Sequence, residues 1–438
     1  MRIAIVVSGI GFPRGLSSTA YVGTLAEAFS RAGVPTRVVG LAKDESLWLP
    51  QTIGECDLSA PLLSAQSPGI RDRLAAAWLG ILSGTADAVD EPADWYDELR
   101  LFRNLEQFAA GDADGVVMVY PRSHAALHLG HRVAERIGWK TMAFATEALT
   151  DNQIDPAIRD DYIRLVREEC DGVWAVSTPI ADRWVDNGIP HDRIHLSHTA
   201  VRMHFFSTQG APQHRAKAVY LGNLVREIDY LLEITELTRR RVPEFHLTVY
   251  GDALDEARDM RVREVAMRGL SEAITIERAV APVDVPGALR DADVLLLPRA
   301  LQGQFPAEGF PQKLGEYLAS GRPTVATAVC DVPTYLADGV NAYVVPPDDS
   351  QAFADAVVRV LENPEEAETV GAKGRELAAD LFAADKIAER AIAFLRTLEP
   401  KPGHAAAHKT SFMSHALSPA VRVRLRQAVL GHIRRRSG

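Results

Sequence analysis

Glu308-Gly-Phe-Pro-Gln-Lys-Leu-Gly-Glu316, continued by Tyr317-Leu-Ala-Ser-Gly-Arg-Pro-Thr-Val-Ala326, is the stretch on which the reading of this chain turns. Locally it spells a tight loop, a short helix, a glycine stop at Gly321 and a buried strand. Pro311 suits the first helical position, where no amide donor is lost. The backbone amides around Gly309 and Phe310 then open the helix, and a helix N-terminus is a ready anion site. Glu316 follows Glu308 by slightly more than two turns, so the two carboxylates share a side only approximately. A carboxylate at that point can accept paired hydrogen bonds from a ribose diol while the helix N-terminus holds phosphate.

Outward from this segment, strand and helix signals alternate. Arg2–Ser8 reads as a strand, Tyr21–Ala32 as a helix stopped by Gly33, and Pro35–Val39 as a second strand. Gly115–Tyr120, Lys140–Ala145, Gly172–Val176 and Arg193–Leu196 continue the strands, with a helix over His124–Ile137. The alternation restarts at Ala218–Leu221, followed by a helix over Ile228–Arg239. Strands at Phe245–Tyr250, Ile274–Glu277, Val294–Leu297, Thr324–Ala326 and Ala342–Val345 complete the second run. Such alternation predicts parallel sheets with helices on both faces, an α/β class. Two separate runs predict two Rossmann-like domains with a hinge near Met203–Ala218. Residues 58–95 read as a mostly helical or irregular insertion in the first domain.

At 438 residues, with 47% hydrophobic content, the chain can bury more than one core. No apolar run approaches the ~20 residues of a membrane span. Cys56, Cys170 and Cys330 are scattered and suggest neither a disulfide framework nor a metal cluster. The expected location is the cytoplasm. The net charge of −10 argues against nucleic acid as a partner. Residues 401–438 carry eight Lys and Arg and no acid, so the remainder is about −18. Within that tail Val421, Leu425, Ala428, Val429 and Ile433 form a short apolar stripe among arginines. A basic amphipathic helix over 418–438 would offer a peripheral contact to the anionic inner face of a membrane. The rivals are packing of the stripe on the acidic body and a disordered end.

The stretch 308–326 resembles the donor-site signature of the retaining glycosyltransferases of GT-B fold, most closely glycosyltransferase family 4, the glycosyl transferases group 1. That family carries two glutamates separated by seven residues, the second opening a run that Glu316–Ala326 matches. Ala175–Ala181 with Gly188-Ile-Pro and Arg193–Ser197 is similar to the family's closing strand of the first domain. Tyr220-Leu-Gly-Asn-Leu224 resembles its opening of the second, and Val345-Pro-Pro-Asp348 a later turn. In all, residues 1–40 and 115–395 look familiar.

The resemblance implies a GT-B architecture: two Rossmann-like domains facing across a cleft, with a final helix, Lys386–Leu398, returning to the first. It places an acceptor-binding domain at 1–205, a nucleotide-sugar domain at 206–385, the return helix at 386–400 and the basic tail at 401–438. It implies retaining transfer of a sugar from a nucleotide-diphosphate sugar to an acceptor hydroxyl, in glycan, glycolipid or glycosylated-metabolite synthesis. No metal and no cofactor beyond that donor substrate are implied, and the acceptor would be a carbohydrate, a lipid-linked glycan or a small molecule. Glu308 would meet hydroxyls of the transferred sugar and Glu316 the ribose. Gly309, Phe310, Pro311, Gly222 and Asn223 would lie along the donor. Gly11, Arg14 and Gly15, in the loop after the first strand, would face the cleft, or form an ordinary βα turn. A nicotinamide fingerprint there fails at Arg14, where a third glycine belongs.

Departures from the family matter. Asn223 and Ile228 stand where members often carry an Arg and a Lys against the diphosphate, so Lys313 or Arg226 would have to supply that charge. Thr146 and Glu147 stand where a His-Asp pair is common, and Thr199-Ala-Val-Arg202 where Asn-Gly-Val-Asp is usual. His124, His128 and His131 share one helix face, but the outer two lie ~10 Å apart along the axis, too far for one ion, and read as helix surface. A non-catalytic sugar-nucleotide binder and a sugar-nucleotide epimerase are the alternative functions.

Overall fold

The structure, a computed structural model, describes residues 1–7, 17–40, 52–53, 56–59, 101–102, 104–109, 114–120, 124–145, 156–206, 215–223, 227–252, 255–301 and 308–401. The first sheet is built on β1 (Arg2–Val7), whose residues Ile3–Val7 are wholly buried. Burial on both faces explains why this strand reads as an unbroken apolar run rather than an alternation. Helix α1 (Ser17–Arg31) leads to β2 (Thr36–Gly40). Then come β3 (Thr52–Ile53), β4 (Cys56–Ser59), β5 (Gly115–Tyr120), α2 (His124–Ile137) and β6 (Lys140–Ala145). Helix α3 (Pro156–Glu168), β7 (Gly172–Ala175), α4 (Thr178–Asp186) and β8 (Ile194–Leu196) complete this half. The strand order is β3-β4-β2-β1-β5-β6-β7-β8, parallel except for the antiparallel β3–β4 pair. At the start of the segment 58–95, Leu58 and Ser59 pair with Val38 and Val39 in a strand. The rest of that segment lies outside the described residues.

The second sheet contains β9 (Lys217–Asn223), β10 (His246–Asp252), β11 (Ile274–Arg278) and β12 (Val294–Leu297), linked by α5 (Ile228–Arg239), α6 (Asp255–Met267) and α7 (Val285–Arg290). Helix α8 (Gln312–Ser320), β13 (Thr324–Thr327), α9 (Val332–Tyr335) and β14 (Tyr343–Val345) follow. Its order, β11-β10-β9-β12-β13-β14, is parallel throughout. Helices α10 (Ser350–Glu362) and α11 (Pro364–Leu377) pack outside it.

A left-handed stop and one close approach make the α8 signature compact. Helix α8 stops at Gly321, whose φ of 71° is left-handed and suits a residue without Cβ. Helix α11 then lies so near that a Cβ on Gly371 would stand 2.3 Å from the Gly321 carbonyl and 3.0 Å from the Pro323 nitrogen. Backbone cannot rotate away as a side chain can. Gly371→Ala is expected to destabilise the fold by about 1–3 kcal/mol, the usual cost of overpacking. Urea unfolding measures it, and an unchanged midpoint would show that α11 does not press on this turn.

The chain crosses between the sheets twice, side by side. The Val201 amide donates to the Phe382 carbonyl at 2.8 Å, and the Ala384 amide to the Val201 carbonyl at 2.9 Å. Beyond this pairing the last helix, α12 (Ala384–Thr397), returns to the first domain as expected, starting two residues earlier than its sequence pattern indicates. It buries Ala384, Ile387, Ala388, Ala391, Ile392 and Leu395 in that domain's core. This i, i+3, i+4 spacing is what gives a helix one apolar face. The Lys401 amide then donates to Asp171 Oδ1 at 2.7 Å. Residues 402–438, and with them the basic stripe, lie outside the described residues. Among the described residues no helix is long and apolar enough to cross a membrane.

Candidate functional site

Ser177 follows β7 and Asp331 follows β13, each just past a carboxyl strand end, while Glu308 lies in the connection leaving β12 toward α8. They meet. Ser177 Oγ donates to the Glu308 carbonyl at 2.6 Å, and the Thr178 amide donates to Asp331 Oδ2 at 2.7 Å. The carboxyl ends of the two sheets thus face each other, the side on which open α/β sheets bind ligands. In the second sheet the strand order reverses between β9 and β12, so Gly222 and Asn223 end β9 at the switch point.

The signature loop sits on this seam. Pro311 precedes α8 as its cap, with ψ 103°, rather than occupying the first helical position. That extended ψ turns the chain just before the helix, so Gln312 is the first helical residue. Phe310 is 3% exposed, its ring packed 4.5 Å from the His198 ring and 5.7 Å from Phe382. Its side chain is core, which leaves only its backbone for a ligand. Thr199 Oγ1 donates to the Gln312 carbonyl at 3.1 Å, and Gln312 Nε2 to the His198 carbonyl at 3.0 Å. These bonds tie the start of α8 to the end of the first domain.

Glu308 stands in the turn before α8. Its Oε1 accepts from Arg183 Nη2 at 2.5 Å, whereas its Oε2 is buried with no hydrogen-bond partner among the described residues. The Cys330 Sγ also donates to the Glu308 carbonyl, at 3.1 Å. Burial foremost pushes that thiol up to about 11, so it stays a protonated donor. Glu316, one helix face further on, lines a cleft with Tyr21 and Thr24 of α1, Arg202 of the crossing and Lys313. Lys313 Nζ lies 2.9 Å from Glu316 Oε2, so the lysine expected near the diphosphate pairs here with the carboxylate expected to meet the ribose.

Other charges are held by the scaffold. Arg202 Nε donates to Glu27 Oε2 at 2.6 Å. Arg299, just past β12, reaches buried Glu227 at 3.1 Å, and Tyr220 donates to the same carboxylate at 2.6 Å. Burial first, then that carboxylate, raises the Tyr220 hydroxyl far above its ordinary range. Arg226, Gly11, Arg14, Gly15, Thr146 and Glu147 lie outside the described residues, as does the side chain of Asn223. The histidine row is not all helix surface, as read from spacing. His131 is buried, with Nδ1 3.3 Å from Thr141 Oγ1 and Nε2 3.4 Å from Glu169, because β6 and α3 cover that end of α2. Among the described residues no three His, Cys, Asp or Glu side chains gather as metal ligands would.

Sequence reasoning missed the residues that join the domains. Asp331 Oδ2 also accepts from His198 Nε2 at 2.7 Å, both side chains under a tenth exposed. Burial alone would raise the Asp331 carboxyl, but the bonds from His198 and the Thr178 amide outweigh it and hold it below its ordinary value. Arg183 and Ser177 belong to the same group. None stands at a spacing that marks it, since each partner lies more than a hundred residues away.

Comparison with known proteins agrees with the geometry. The family described as Glycosyl transferases group 1 matches residues 215–363, most of the second domain. Alpha-D-kanosaminyltransferase of Streptomyces kanamyceticus is 27% identical over 157 residues, 34% of this chain and 38% of that protein. The GDP-mannose-dependent alpha-(1-6)-phosphatidylinositol monomannoside mannosyltransferase of Mycolicibacterium smegmatis is 29% identical over 169 residues, 38% of this chain and 44% of that protein. The chain thus spans about two fifths of the length of these curated relatives. Anabaena HepE, solved in complex with UDP, superposes with a TM-score of 0.66 at 15% identity, over 91% of this chain and 100% of that one. TarM gives 0.68 at 12%, over 90% and 99%. The fold is the GT-B fold.

Proposed function

We propose that this chain, which has the GT-B fold and resembles the glycosyl transferases group 1, is a retaining, metal-independent glycosyltransferase. It moves a sugar from a nucleotide-diphosphate donor to an acceptor hydroxyl. The observation that carries this reading is that Glu308, in the turn before α8, and Glu316, on α8, are each set against residues of the first domain beyond the carboxyl strand ends. As the anomeric bond breaks, charge builds on the departing diphosphate. Amides fixed at the start of α8 and nearby cations stabilise that charge without rearranging, usually the largest catalytic term. Glu308 binds hydroxyls of the moving sugar, and Glu316 the ribose. Lys313, seated on Glu316, is within the same cleft and turns to the diphosphate once the ribose occupies that carboxylate. The acceptor approaches from the first domain, and closure of the cleft holds the reactants in contact.

A thermal-stabilisation screen of UDP-glucose, GDP-mannose, UDP and GDP tests the donor site, because ligand bound to the native state raises its stability. Glu316→Ala is expected to weaken donor binding about ten- to hundredfold, the range for hydrogen bonds to a charged group. Unchanged donor affinity in this variant would remove Glu316 from the site. The absence of Arg and Lys at Asn223 and Ile228 favours a second reading, a sugar-nucleotide binder without turnover. Product analysis with donor and candidate acceptors, including the anomeric configuration formed, separates the two. Incubation with donor alone exposes an epimerase.

A further inference from the structure

We propose that Arg183, on the first domain, is a positioning residue for Glu308: it holds one carboxylate oxygen so that the other receives a hydroxyl of the donor's sugar. This rests on the glycosyltransferase reading of the site. Helix α4 grips Glu308 twice. Its cap, Ser177, donates to the Glu308 carbonyl at 2.6 Å while accepting from the Ile180 amide at 3.3 Å. From the next turn, Arg183 Nη2 reaches Glu308 Oε1 at 2.5 Å. Main chain and side chain of one residue are thus fixed by one element of the opposite domain.

The second oxygen identifies the chemistry of its ligand. Glu308 Oε2 is buried and accepts no hydrogen bond from any described residue. A buried carboxylate oxygen without a donor is costly, and such exceptions call for an explanation. Arg183 already balances the charge, so a second cation is not what this oxygen lacks. A neutral O–H donor suits it, and a sugar hydroxyl is one, able to form a short charge-assisted bond. The nucleoside diphosphate offers no hydroxyl at this end of the donor. Arg183 and Ser177 reach Glu308 only when the two sheets are apposed. The sugar carboxylate is therefore set when the cleft closes, whereas nucleotide binding, through Glu316 and the start of α8, needs the second domain chiefly.

The test compares sugar nucleotide with bare nucleotide, using UDP against UDP-glucose and GDP against GDP-mannose, by calorimetry on the full chain. In the wild type the sugar nucleotide of the recognised pair binds more tightly than its diphosphate. Arg183→Ala is expected to bind the diphosphate as wild type does while losing about tenfold or more of the sugar's contribution, the worth of a bond to a charged group. Arg183→Lys restores part of it, and neither change adds to the loss in Glu308→Gln, since both act on one bond. Should Arg183→Ala melt early, the lysine variant carries the comparison. Equal loss of diphosphate and sugar-nucleotide binding in the arginine variants would overturn the proposal in favour of a structural role. So would wild-type sugar binding in Arg183→Ala alongside impaired Glu308→Gln, which leaves the donor-site reading standing. Failure of the wild type to bind either pair would overturn that reading, and this inference with it.

Discussion

Replacing Asp331 with alanine is expected to cost the native state about 2–6 kcal/mol, because one buried and one part-buried donor lose their acceptor at about 1–3 kcal/mol each. The donors are the Thr178 amide and His198 Nε2, both 2.7 Å from Oδ2. With Asp331 held ionised, that histidine nitrogen must carry its hydrogen toward the carboxylate. The loss would not stay local. His198 packs on Phe310 and Tyr335, and Phe310 opens the turn into α8. An Asp331→Ala protein should therefore unfold at lower urea and bind donor less well, whereas Asp331→Asn, which keeps one acceptor, should lose about half as much. A shift below ~0.5 kcal/mol, the scale of ordinary surface changes, would show that the pair does not join the domains.

The second large effect is acid sensitivity at His195. Burial, and then the nearby charge of Arg390, press its pKa down from 6.5 to about 4. The ring lies 4.5 Å from Trp174 and 5.1 Å from Phe394 of α12, and its Nε2 is buried without a partner among the described residues. The unfolded chain takes up a proton near pH 6.5 that the native state refuses until about pH 4. The unfolded state binds more protons across that window, so stability rises with pH through it. The contribution is whole above pH 6.5 and is lost as the pH falls toward 4, in total about 3 kcal/mol at ~1.4 kcal/mol per unit. His195→Phe fills the same aromatic site and should flatten the unfolding free energy between those limits. An equally steep profile in that variant would place the acid sensitivity elsewhere.

Most strands were legible because buried parallel strands write themselves as apolar runs, and α2 and α5 because their stripes are clean between breakers; β3 and β4 were not, since neither forms such a run. Gly321 announced the end of α8 through the left-handed turn it makes. Pro311 was displaced by one position, since a proline suits both a cap and a first turn. The return of α12 followed from resemblance more than from pattern, for an apolar helical face does not say which core it enters. The carboxylates of the site were visible through their motif. Arg183, His198 and Asp331 were not, because their meaning lies in partners more than a hundred residues away, brought together only by the apposed sheets. His131 was misjudged for a related reason: a helix stripe cannot show that β6 and α3 will cover it.

The return of α12 carries a consequence for how the protein is made. Ala384–Leu395 share the core that holds Ile3–Val7, so part of the first domain's core comes from the last part of the chain. Domains generally fold as units, amino-terminal first, while synthesis proceeds. Here the amino-terminal unit leaves the ribosome with a groove on its surface that nothing upstream can fill. It must wait, through the emergence of the whole second sheet, for its final helix. The order of translation and the order of completion are therefore reversed: the half that is made first is the half that is finished last.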